Sequence, residues 1–306
     1  MQRRFSGNFY ILDFPWLRCQ EMGSLRGFFR LMRPVNSLMM GFAVIVGAFP
    51  ASGVRIIVDS WLVLLLAFFT AFTLTGGAMA VNDYYDREID AVNEPQRPIP
   101  SGAVSPNESL FFFIFLSILG LTISLLTNLK CFAIAVFAWI LMTLYSTWGK
   151  QTGLLGNLLV SAPVSFPFIY GPLAVGGILP PSSFIFASMA FLSNTGREVT
   201  KGIVDVEGDQ KKDVKTIAVS YGLNTAALLS LILNLIAVFI SLIPWILRIV
   251  SPLYLPPIVV SDIGFIFSSI LLLREPSREK AKRIKNLFLI WMVLALIGFL
   301  MGNLIN

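Results

Sequence analysis

The sequence predicts an all-α polytopic membrane protein with nine transmembrane helices. Three observations carry that expectation: too little charge for a soluble surface, uncharged runs of membrane-spanning length, and basic residues crowded into alternate loops. Charged residues make up 13% of the 306-residue chain, where a soluble globular protein carries roughly 25%. Apolar residues make up 56%, and mean hydropathy is +0.78. So few charges cannot coat a soluble globule of this size, and a disordered chain would be poor in apolar residues. A transmembrane barrel would alternate apolar and polar residues over about 10 positions, and these runs do not.

The spans follow in order. Pro34–Val54, Ser60–Asn82, Ser109–Leu129 and Cys131–Gly149 hold no charge, and each approaches the ~20 residues a helix needs to cross a bilayer core. Gln151–Gly196 is uncharged and long enough for two spans, with a turn near Gly176-Gly177-Ile178-Leu179-Pro180-Pro181. Thr216–Leu247 makes the seventh span. Ile249–Leu273 makes the eighth and holds one charge, Asp262. Asn286–Asn306 makes the ninth.

Lys and Arg set the orientation. With the N-terminus inside, the inner segments hold 20 of the 23 basic residues, leaving only Arg55, Lys130 and Arg248 outside. Miscounting one span mid-chain would scramble that split. The chain is therefore expected in the plasma membrane with its N-terminus inside and its C-terminus outside. The net charge of +6 becomes a cytoplasmic-face charge that needs no nucleic acid, and no obligate protein partner is evident.

Residues 1–33 form an N-terminal cytoplasmic segment ahead of a domain spanning 34–306. Phe9–Leu17 is interrupted by Asp13 and lacks a small-residue cleavage site, so it makes a poor signal peptide. Ser24–Arg33 spaces Arg26, Arg30 and Arg33 helically, with Leu25, Phe28, Phe29 and Met32 between them. That reads as an amphipathic helix lying in the membrane plane. Cys19 falls inside and Cys131 near the outer face, so they should not pair. The chain has no His, which removes the commonest general base and transition-metal ligand. Any metal should be a hard cation held by oxygen.

The carboxylates carry the chemistry. Asn82-Asp83-Tyr84-Tyr85-Asp86-Arg87-Glu88-Ile89-Asp90 ends the second span. Asp83, Asp86 and Asp90 share one helical face, and Asn82 joins its edge one turn from Asp86. Stacked carboxylates repel unless a cation sits among them. A second acidic stretch, Asp205-Val206-Glu207-Gly208-Asp209 followed by Asp213, lies beyond the sixth span. If that helix continues past the membrane, Arg197, Lys201, Asp205 and Asp209 form one slowly turning stripe. Two acidic helix ends on one side of the membrane suggest Mg²⁺ shared with a polyphosphate, since Mg²⁺ is usually held by one or two carboxylates plus phosphates and waters. Four carboxylates, a diphosphate and two Mg²⁺ leave about −3 to be offset. Arg33, Arg97, Lys150, Arg197 and Lys201 are the candidates. Arg97 stands out because Pro95, Pro98 and Pro100 stiffen its loop. The acids are expected on wet helix ends, where they support chemistry and little packing.

The pairing of Asn82-x-x-x-Asp86-x-x-x-Asp90 with Asp205-x-x-x-Asp209, at the inner ends of helices two and six, resembles the UbiA family of intramembrane prenyltransferases. The likeness runs from Arg33-Pro34 to the last helix. The stretches around Arg97-Pro98-Ile99-Pro100-Ser101-Gly102 and Gly196–Asp209 are most similar to archaeal members that transfer a geranylgeranyl group.

The resemblance implies a helical bundle around a cavity open to lipid and capped by the acidic motifs on the cytoplasmic side. It implies Mg²⁺ held by Asn82, Asp86, Asp205 and Asp209, with Asp83, Asp86, Asp90, Asp205 and Asp209 as catalytic acids. Asn36, Asn82, Arg97, Tyr145, Lys150, Arg197 and Lys201 would bind the isoprenyl diphosphate and a prenyl-acceptor lipid. The implied reaction moves a geranylgeranyl group from its diphosphate to geranylgeranylglyceryl phosphate, making the second ether bond of archaeal lipid. The general base is a carboxylate, Asp90 among the candidates, or the departing diphosphate. Two other readings stand beside this one: a family member that prenylates an aromatic acid for quinone synthesis, and a divalent-cation transporter. Transporter sites tend to lie near the midplane in broken helices, whereas these acids gather at one membrane face.

Overall fold

Each predicted span folds as helix in the computed structural model, which describes residues 24–55, 59–176, 178–211 and 214–304. Cys19 and the first part of the N-terminal segment lie outside the described residues. Helix α1 (Leu25–Leu31) starts where the Ser24 hydroxyl accepts from the Gly27 amide at 3.0 Å, a cap that satisfies one orphan N–H of the first turn. Leu25 and Phe29 point outward, while Leu31 is buried beside Ile99 and Val104. The amphipathic pattern is thus used in part to dock the helix on the bundle.

Helix α2 (Pro34–Ser52) begins on a proline, whose missing N–H costs nothing at a first helical position. Helix α3 (Trp61–Asn93) runs 33 residues, about 50 Å at 1.5 Å per residue. The hydrocarbon core is only ~30 Å thick, so its final turns carry the first acidic motif beyond the apolar layer. Helix α4 (Pro106–Thr127) opens with a capping box between Ser105 and Glu108, and α5 (Leu129–Thr147) is capped by Asn128. The fifth span is split into α6 (Leu154–Ser165) and α7 (Pro167–Val175), because Pro167 has no N–H to continue the ladder. After α8 (Pro181–Lys211) come α9 (Ile217–Tyr221), α10 (Leu223–Ser241), α11 (Ile243–Ile246), α12 (Leu255–Arg274) and α13 (Arg278–Asn303).

Among the described residues, eight stretches are long and apolar enough to cross a membrane, with α6 and α7 forming one of them. The remaining predicted span is α8. It is 31 residues long, but its apolar stretch ends at Leu192 and gives way to Ser193, Asn194, Thr195 and then charges. Polar residues enter this helix early because they face an internal chamber. The protein is a multi-pass membrane protein.

Two devices hold the helices together where hydrophobic segregation from lipid cannot. Small residues let backbones touch: Gly171 of α7 lies against Val44, Gly47 and Ala48 of α2, and a Cβ on it would collide with their backbone. Buried polar side chains stitch the other side. The Thr200 and Ser230 hydroxyls are 2.9 Å apart, and Asn234 donates to Ser269 at 3.1 Å, tying α8 to α10 and α10 to α12.

Candidate active site

The ends of α3 and α8 that carry the two acidic motifs meet. The Asn93 side-chain amide donates to the Asp205 carbonyl at 3.2 Å. Gly208 lies so close to Asn93 that any side chain there would strike it. The glycine inside Asp205-Val206-Glu207-Gly208-Asp209 therefore has a steric reason: it lets the second acidic motif close on the end of the first. Helix α8 runs unbroken to Lys211, so Arg197, Lys201, Asp205 and Asp209 do lie on one continuing helix.

The five acids are buried, contrary to the expectation of wet helix ends. Asp83, Asp86, Asp90, Asp205 and Asp209 are all below a tenth exposed. Basic residues from three other segments cover the first three. Arg33, between α1 and α2, reaches Asp83 at 2.5 Å. Arg97 reaches Asp90 at 2.5 Å and Asp83 at 3.5 Å. Lys150, between α5 and α6, reaches Asp86 at 2.7 Å. Asn82 also donates to Asp86 at 2.9 Å. Arg33 holds its backbone at φ 48°, a left-handed conformation rare for a residue with a side chain. That turn brings its guanidinium to Asp83. Burial works against the Arg97 charge, but Asp83 and Asp90 outweigh it and raise its pKa above the ordinary arginine value. Burial likewise opposes the Lys150 charge, and Asp86 overcomes it, so that ammonium also titrates above its usual range.

A chamber of about 1080 Å³ lies on the membrane side of this lattice. Its polar wall includes Asn36, Asn82, Arg97, Tyr145, Arg197 and Lys201, six of the predicted site residues. A second recess of about 390 Å³ shares Tyr145, Glu198 and Lys201 with the chamber, and adds Lys150, Asp205 and Asp209. Asp83, Asp86 and Asp90 line neither space. Their carboxylates hold Arg33, Arg97 and Lys150, which line the chamber or the recess, so their place in the site is behind its cations. Asp90, tied to Arg97, is poorly placed as a general base.

Among the chamber residues that sequence reasoning missed are Glu198, Asn194 and Lys285. Glu198 pairs with Arg197 at 2.9 Å and Lys201 at 3.5 Å. Asn194 lies three residues before Arg197 on the same face and could have been found by extending the stripe. Lys285 of α13 also lines the chamber. It sits in a run of basic residues, where nothing local marks it out.

The donor chemistry fits Mg²⁺ as a shared ion. The Asn82 Oδ1 and Asp209 Oδ1 atoms are buried without a hydrogen-bond partner, and hard oxygen donors suit this cation. Among the described residues, however, no three acids surround one point as a ready metal cage. The predicted set of Asn82, Asp86, Asp205 and Asp209 is divided, with Asp86 held by Lys150. Phosphate oxygens would have to complete any coordination sphere.

A long, partly apolar chamber beneath buried acids and cations is suited to an anionic lipid within a membrane protein. The chain belongs to the UbiA prenyltransferase family, whose description matches residues 40–300, and is thus a prenyltransferase embedded in the membrane. It is 35% identical over 281 residues to the digeranylgeranylglyceryl phosphate synthase of Korarchaeum cryptofilum, covering 92% of this chain and 98% of that one. A solved structure of digeranylgeranylglyceryl phosphate synthase is similar with a TM-score of 0.71 and 32% identity, covering 92% of this chain and 98% of the other. A UbiA homologue from Archaeoglobus fulgidus bound to DMAPP and Mg²⁺ matches with a TM-score of 0.60 over 88% of this chain and 98% of that one. At 18% identity, that last likeness concerns the fold alone.

Proposed function

We propose that the protein transfers a geranylgeranyl group from geranylgeranyl diphosphate to the free hydroxyl of geranylgeranylglyceryl phosphate, with Mg²⁺. The product carries the second ether bond of archaeal membrane lipid. The observation that carries this reading is the meeting of the two acidic motifs over one chamber, with orphaned oxygens on Asn82 and Asp209. The relatives named digeranylgeranylglyceryl phosphate synthase, matched over nearly their whole length, support the choice of acceptor over an aromatic acid. The clustering of acids at one end of the bundle, rather than at a midplane break, argues against a transporter.

Bound Mg²⁺ supplies charge neutralisation for the leaving diphosphate. Asn82 and Asp209 are the residues best placed to hold it, joined by Asp205, and Asp86 would join them by releasing Lys150. Lys150 and Lys201, which line the acidic recess, take up further negative charge as the bond between C1 and the diphosphate oxygen breaks. Tyr145, buried between chamber and recess, orients the head group. Met39, Met79, Met142 and Met292 line the chamber, and their apolar, polarisable side chains keep water from the allylic cation. The acceptor oxygen bonds to C1 and its proton passes to the departing diphosphate.

The basic-residue asymmetry supports a cytoplasmic site, N-terminus inside and C-terminus outside, in the plasma membrane. We infer a prenyltransferase domain over 34–306 preceded by a segment over 1–33; the family match over residues 40–300 lies within that domain. The test is incubation of purified protein with radiolabelled geranylgeranyl diphosphate, Mg²⁺ and a panel of acceptors. Labelled digeranylgeranylglyceryl phosphate is the expected product. Labelling of an aromatic acid in its place would refute the acceptor assignment.

A further inference from the structure

The chamber forks. Met40 of α2 lines it and also lines two largely apolar cavities, the second with Asp262 in its wall. The first arm, about 420 Å³, runs along α3 past Thr75, Leu74, Ala71 and Thr70 to Ala67, with Tyr170 of α7 also in its wall. The second, about 670 Å³, runs along α13 past Met292, Ala295 and Leu296 to Phe299. From Asn82 to Ala67 is about 22 Å of helix, and from Lys285 to Phe299 about 21 Å. A chain of sixteen main-chain carbons, joined by C–C bonds of about 1.5 Å, spans roughly 20 Å. Each arm, taken together with the stretch of chamber that leads into it, therefore has the depth of one C20 prenyl chain.

The two mouths differ in charge. The first arm opens below Asn82 and Tyr145, beside the Asp86–Lys150 pair. The second opens below Arg197 and Lys285. Lys285 makes no ion pair among the described residues, and the buried Arg197 Nε has no hydrogen-bond partner. Two cationic groups with unused donors call for an anion between them, and a single phosphate on the lipid in the second arm would supply it.

We propose that the second arm is a dedicated acceptor site. It takes a phosphate-bearing lipid that already carries one prenyl chain, with the phosphate at Lys285 and Arg197 and the chain along α13. The first arm takes the donor chain. This rests on the reading of the protein as a transferase between two prenylated substrates. It makes the acceptor's own tail, as well as its hydroxyl, a condition of binding.

Two measurements test it. In the first, photoreactive prenyl diphosphate and photoreactive prenylglyceryl phosphate are each crosslinked to the full-length protein with Mg²⁺, and the labelled peptides are mapped. The acceptor probe should label residues 292–299 and the donor probe residues 67–75. The reverse pattern, or equal labelling of both arms by both probes, overturns the proposal. In the second, steady-state KM is measured for each substrate. Ala295→Phe should raise the KM for the C20 acceptor about tenfold and leave the donor KM within about twofold, with Ala71→Phe doing the opposite. An acceptor with a short alkyl ether should be indifferent to Ala295→Phe. Lys285→Gln should raise acceptor KM alone, and Lys285→Arg should restore it. A rise in donor KM with Ala295→Phe refutes the assignment of arms. If unmodified protein transfers nothing but the crosslinks divide as stated, the transferase reading fails while the two sites stand.

Discussion

Arg97→Gln should destabilise the protein through two buried carboxylates. Arg97 is the sole ion-pair partner of Asp90 among the described residues and the second partner of Asp83, whose other contact is Arg33. Breaking a buried pair by removing one partner typically costs about 3–5 kcal/mol, because the other charge stays buried. The Arg97 side chain is 17% exposed and that of Asp90 6%, so water relieves part of this, and a loss of about 2–3 kcal/mol is expected. Asp90→Asn should cost less, about 1–2 kcal/mol, since Arg97 retains Asp83 and the new amide still offers an oxygen. In the double variant, the orphaned carboxylate that makes Arg97→Gln costly is gone. Its loss should fall short of the sum of the single losses by about 1–3 kcal/mol. The assay is reversible unfolding in graded SDS in a mild detergent, followed by tryptophan fluorescence. Additivity within about 0.5 kcal/mol would refute the claim that these residues form one buried charge unit.

Other outcomes follow from the same geometry. Asp86→Asn and Asp209→Asn should each abolish transfer, with the double variant hardly worse than either, because residues acting as a unit are not additive; near-normal turnover by Asp86→Asn would break the metal assignment. Asn is the better substitution, since Asp86→Ala would strand buried Lys150. EDTA should stop transfer and Mg²⁺ restore it, whereas Zn²⁺ should restore it poorly, because its preferred sites contain His or Cys. Gly208→Leu should push Asn93 from Asp205 and cut turnover more than it lowers the unfolding midpoint; unchanged turnover would show that the close approach of α3 and α8 is dispensable. A reporter active only in the cytoplasm should be silent when fused after Asn306, and activity there would refute the proposed topology. Cys131 is fully buried at the start of α5, so it should resist maleimide until the protein unfolds.

Composition and charge order alone determined the class, the helical segments and the site's chemistry. An uncharged run of bilayer length can only be a helix in lipid, because every backbone polar group must be satisfied within the segment. Period 3.6 is equally local, so Asp83, Asp86 and Asp90 shared a face before any packing was known. What the sequence could not contain was partnership across distance. Whether an acid at a helix end is wet depends on what else arrives there. Arg33 comes from 50 residues before Asp83 and Lys150 from beyond another helical pair, and together they bury acids that local pattern placed in water. Lys285 looked like one more cytoplasmic lysine until α13 packed beside α8. The fork at Met40 is likewise a property of facing surfaces, since a cavity is shaped by several helices at once. Tertiary packing alone decided which charges neutralise one another and which, like Lys285 and the Arg197 Nε, are left for a ligand.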